Sequence, residues 1–111
     1  KNMAKRLYDA LVAELENMVE ETAVELLSIE ESTKKLEDGT EEQITKAVME
    51  IPRGNGAFSR CRFPCRLPRT QLNISEEELD EGVLVCLSGF KVTYISSQKE
   101  IYTKADAIRI V

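Results

Sequence analysis

The sequence predicts an α+β protein: a long N-terminal helix of coiled-coil or bundle type, folding back through a short helix, then a small antiparallel β-meander. Three observations carry that prediction. Residues 3–36 contain neither glycine nor proline and repeat apolar side chains at helical spacing. An Asp38-Gly39 stop is followed by TEEQ, which matches a helix-capping box. The last thirty residues hold four short β-branched or aromatic runs.

In the first segment, apolar positions recur at Tyr8, Leu11, Leu15, Met18, Leu26 and Ile29, in steps of three and four with a stutter at Thr22. Val12, Val19, Ala23 and Leu27 widen the stripe, while Glu14, Glu20, Glu21, Glu31 and Lys35 supply a solvated face. Such a helix would run about 50 Å, more than a body of this size covers alone. The seam therefore predicts self-association as a homodimer, or a hetero-oligomer with another helical protein. Thr40 should then start a second helix to about Met49, burying Ile44, Ala47 and Val48 and ending before Pro52.

The segments divide as 1–51, a helical hairpin for dimerisation; 52–75, an arginine-rich loop with a possible edge strand in AFSRCRF; and 76–111, a small β unit. Within the last, SEEELDEG reads as one helical turn capped by Ser75, with Glu78 three residues on and Gly82 after the end. The runs VLVCL, FKVTYI, EIYTK and AIRIV follow as strands, separated by SG, SSQK and AD.

Charge is segregated. Residues 1–50 hold 6 basic and 13 acidic side chains, residues 51–75 hold five arginines and no acid, and residues 76–111 hold 4 basic and 7 acidic, giving −7, +5 and −3 and the total of −5. Arg53, Arg60, Arg62, Arg66 and Arg69 are thus the candidate site, for an acidic protein partner or for phosphate. Arg60, Arg62 and Arg66 fall two and four apart, so an extended chain points them the same way. Phe58 and Phe63 stand among them, either to stack on bases or to anchor the loop. The plainer expectation is that these arginines neutralise the protein's own acids.

Catalysis is not expected. The chain has no histidine, no phosphate-binding glycine motif, and its paired carboxylates lie on a charged face. No cofactor and no metal is expected: Cys61 and Cys65 have zinc-ligand spacing, but with Cys86 they make three ligands where a closed site needs four. Cys86, between Val85 and Leu87, reads as core. An odd cysteine count fits a reducing, intracellular setting in cytoplasm or nucleus. No apolar run is long enough to cross a membrane, and the Asn73-Ile74-Ser75 sequon carries little weight. The function expected is a non-catalytic interaction or scaffold module within a larger complex. The alternative is a nucleic-acid- or phosphate-binding factor using the arginines at 53–69.

Overall fold

The computed structural model describes residues 2–69, 72–95 and 100–111, with side chains from residue 9 onward. It overturns the predicted fold class: the protein is mostly β, one curled seven-stranded sheet with an N-terminal helix that ends at Glu21 rather than running on to about residue 36. Helix α1 spans Asn2–Glu21. Strands β1 (Val24–Lys35), β2 (Glu41–Glu50) and β3 (Arg62–Pro68) follow, then the short helix α2 (Glu76–Glu81). Strands β4 (Leu84–Ser88), β5 (Lys91–Ile95), β6 (Ile101–Lys104) and β7 (Ala107–Ile110) complete the chain.

The coiled-coil seam is therefore absent. Of its residues, Leu11, Leu15 and Met18 lie on α1, Leu26 and Ile29 lie in β1, and the Tyr8 side chain is outside the described residues. A β-bulge accounts for the misreading. The β1–β2 register shifts between Leu26 and Ser28, so the side facing β2's inner residues passes from Val24 and Leu26 to Ile29. That inserts a three-residue step into a two-residue repeat, and the sequence then resembles a continuing helix. Burial decides against the helix, since Val24 and Leu26 are 1% and 0% exposed in the core.

The predicted second helix is β2, and the Asp38-Gly39 stop expected to end the first helix is a hairpin turn between β1 and β2. Leu36 N–H donates to the Thr40 carbonyl, Gly39 sits at φ +86°, and Asp38 accepts from both the backbone N–H and the hydroxyl of Thr40. The Asp-Gly pair was the right punctuation attached to the wrong element. The expected edge strand is also corrected: β3 lies inside the sheet, between β2 and β6. Its parallel pairing with β6 is limited to Cys65 and Arg66, between Pro64 and Pro68, whose ring nitrogens have no hydrogen to donate.

The four C-terminal strands lie where the runs predict them, but they are not a meander. β4 pairs antiparallel with β1 and β7, whereas β5 pairs with β6, which runs parallel beside β3. The sheet order is β5-β6-β3-β2-β1-β4-β7. Only Gly89 and Phe90 separate β4 from β5, and only Ala105 and Asp106 separate β6 from β7. Elements so close in sequence cannot occupy opposite sides of a flat sheet, so the sheet must curl until those sides meet. Residues 84–95 and 101–110 thus act as two long bent strands. Around the barrel the order is β1, β2, β3, then 101–110, then 84–95 and back to β1. The result is a strongly curled, barrel-like sheet with Greek-key connectivity.

The bends touch. Asp106 N–H donates to the Ser88 carbonyl at 2.8 Å, and Ala105 N–H to the Arg66 carbonyl at 3.0 Å. Gly89 adopts φ +67°, and a Cβ there would lie 2.1 Å from an Asp106 carboxylate oxygen. Inside, Phe63 and Phe90 meet edge to face at 5.5 Å among Met49, Leu67, Val85 and Leu87. Helix α1 adds Leu15 and Val19 to this core. Its Glu20 and Glu16 accept the Phe90 and Val92 N–H groups, satisfying donors along the β5 edge. Helix α2 has the predicted capping box between Ser75 and Glu78, followed by Gly82.

Candidate anion-binding face

The outer face of the barrel is built by the alternation of β3. Phe63, Cys65 and Leu67 point inward and are buried, which sends Arg62, Pro64, Arg66 and Pro68 outward. The five predicted arginines then separate into distinct environments.

Arg60 and Arg62 close on one carboxylate. Arg60 Nε lies 2.8 Å from Glu50 Oε1, and Arg62 Nε lies 2.6 Å from Glu50 Oε2. Glu50 is 5% exposed. The hydrogen bond from Arg62, aided by the Arg60 charge, holds its carboxyl below the ordinary 4.5 despite the burial. Arg60 takes a left-handed backbone, φ +64°, and its N–H donates to the Ile51 carbonyl. Arg69 pairs with Glu31 at 3.6 Å and donates to the Gln43 side chain. Arg53 is exposed on the β2–β3 loop. Arg60, Arg62 and Arg69 thus pair with the protein's own acids, on β2 and β1.

Arg66 stands elsewhere. It pairs across the sheet with Lys46 on β2 and with Lys104 on β6, and Lys104 pairs with Lys91 on β5. All four are exposed. The result is one transverse row, Lys46–Arg66–Lys104–Lys91, crossing four neighbouring strands over about 14 Å. Glu30, opposite Lys46 on β1, ends it. The outward positions two residues along β2 and β3 are Ile44, Val48, Pro64 and Pro68, so no carboxylate from these strands interrupts the row.

A second row runs beside the first. Ser28 pairs with Val48, Val48 with Pro64, and Tyr94 with Tyr102; the parallel β3–β6 register sets Tyr102 next to Pro64. Tyr94 and Tyr102 are 59% and 40% exposed, and their rings stack at 6.0 Å. Glu100 accepts the Tyr102 hydroxyl at 2.8 Å, which pushes that phenol above its ordinary 10. The predicted aromatics do not join this face: Phe63 is fully buried and Phe58 packs against the core.

The cysteines do not converge on a metal. Cys65 points into the barrel, where burial pushes its thiol up to about 11; Cys61 is half-buried at the end of the loop. Cys86 is corrected from core to the outer side of β4, opposite Arg109. Among the described residues no group of three or more metal-ligating side chains forms, and no helix is long and apolar enough to cross a membrane.

Lys46, Lys91, Lys104, Tyr94 and Tyr102 escaped the sequence reading. They come from three segments, and only strand register brings them together. No family model, curated protein or solved structure matches this chain.

Proposed function

We propose that this protein binds nucleic acid through the outer face of β2, β3, β6 and β5. One observation carries the reading: four exposed cations stand in a single row with neither flanking strand position on β2 or β3 acidic. Like charges set side by side repel, and a sheet does not align four of them for its own stability. A phosphate chain laid along the row would relieve that repulsion and release counterions. The barrel topology alone carries no function.

The net charge of −5 opposes long-range approach. Several of its carboxylates lie elsewhere, with Glu37, Asp38, Glu41 and Glu42 on the β1–β2 arm and Glu76, Glu77 and Glu78 on α2, while Glu30 and Glu100 border the face. The interaction-module reading drew on a helical seam whose second half now belongs to β1.

The test is a titration of labelled oligonucleotide at about 50 and 200 mM salt. If all four cations contact phosphate, affinity falls roughly fiftyfold between these conditions. A Lys46→Ala, Arg66→Ala, Lys104→Ala variant should lose about a hundredfold at 0.1 M salt. Equal binding by this variant and the parent would remove the proposal.

A further inference from the structure

Resting on that reading, we infer that the face takes a single strand rather than a duplex, with phosphates on the cationic row and bases on the row beside it. The two rows run side by side, offset by two residues on β2, β3 and β6, about 7 Å, and by three on β5, where a bulge lies between Val92 and Tyr94. One is wholly cationic across four strands. The other is uncharged across the same strands, passing from Val48 and Pro64 to the stacked Tyr102 and Tyr94.

The offset suits a polymer whose charged backbone and flat apolar groups run side by side at a fixed distance. An unpaired strand has that form. In a duplex the base faces are stacked inside, leaving the tyrosine faces nothing to cover. An acidic peptide supplies charge along one line but no regular series of planar groups along the other. A bare polyanion would use the cationic row and leave the second row in water.

The extent of the site also follows. Glu30 closes the cationic row at β1, and Ser28 closes the apolar row on the same strand. At the other side both rows end on β5, an edge of the sheet whose backbone donors are partly taken by Glu16 and Glu20. The site thus spans four strands, enough for about three or four phosphates, and the salt slope should not exceed about −3.

The chain contains no tryptophan, and its tyrosines are Tyr8, Tyr94 and Tyr102, so intrinsic tyrosine fluorescence reports on the apolar row. The experiment compares an unstructured oligothymidylate, a blunt duplex of equal length and inorganic polyphosphate. Expected are quenching and saturable binding by the single strand, with duplex and polyphosphate each at least about tenfold weaker. Tyr94→Ser with Tyr102→Ser should weaken the single strand about tenfold or more and leave polyphosphate unchanged. Both tyrosines are solvent-exposed, and a thermal melt confirms that the variant folds. If polyphosphate or duplex binds as tightly as the single strand, or the tyrosine variant binds normally, this inference fails while the cationic row stands. If none of the three probes binds, the proposed function fails with it.

Discussion

The two ends of β3 use arginine in opposite ways. At its start, Arg62 faces Glu50 across the β2–β3 ladder, and Arg60 joins the same carboxylate from the loop. Four residues later, Arg66 faces Lys46 across the same ladder and meets Lys104 on its other side. The first pairing neutralises a buried carboxylate and fastens a loop. The second leaves charge facing solvent among its own kind. Density of arginine along a chain therefore says little about surface potential; the cross-strand neighbour decides it.

The sharpest way to break the contrast is to convert one end into the other. Lys46→Glu would give Arg66 the partner that Arg62 has in Glu50. A fluorescence titration at 0.1 M salt should show about thirtyfold weaker binding or more, as Lys46 is lost and Arg66 neutralised. The thermal midpoint should not fall. A smaller effect separates the arginines themselves: Arg66→Ala should lose about fivefold in the same titration, while Arg62→Ala changes affinity less than twofold. Equal losses would mean that the Glu50 pair also contacts ligand.

The smallest effect is on stability and is read against pH. Glu50 has a folded pKa below its ordinary 4.5, so its contribution is complete above about 4.5 and disappears as pH falls through the lower, folded value. Thermal melts of Glu50→Gln should lie below the parent at neutral pH and converge with it on acidification. A constant difference down to pH 3 would show that the carboxylate charge does not fasten the loop.

Some of this was legible in the sequence for physical reasons. The α2 turn is specified locally by Ser75, Glu78 and Gly82, so no distant contact was needed to find it. The four C-terminal strands are short and rich in β-branched residues, and propensity placed them. Their connections were not legible. Ser88-Gly89 and Ala105-Asp106 read as hairpin turns, but both are bends within longer strands, fixed by contact with each other. In the first half, burial in the barrel overrode helix propensity after Glu21, and the bulge at Leu26 disguised the strand repeat. The cationic row could not be read at all, because Lys46 and Lys91 are 45 positions apart by number and join one row only through two intervening strands.

The late closure of the barrel also sets a sequence of events during synthesis. The barrel neighbours of both β1 and β3 come from residues 84–110. A ribosome that has released the chain only as far as Pro68 has produced a three-stranded meander with both edges unpaired. That intermediate must wait for about forty further residues before its rims are occupied, at a synthesis rate on the order of 5–20 residues per second. During those seconds β1 and β3 offer open hydrogen-bonding rims to any extended chain nearby. Because closure depends on pairings so distant in sequence, refolding belongs to the millisecond-to-second class rather than the microsecond one.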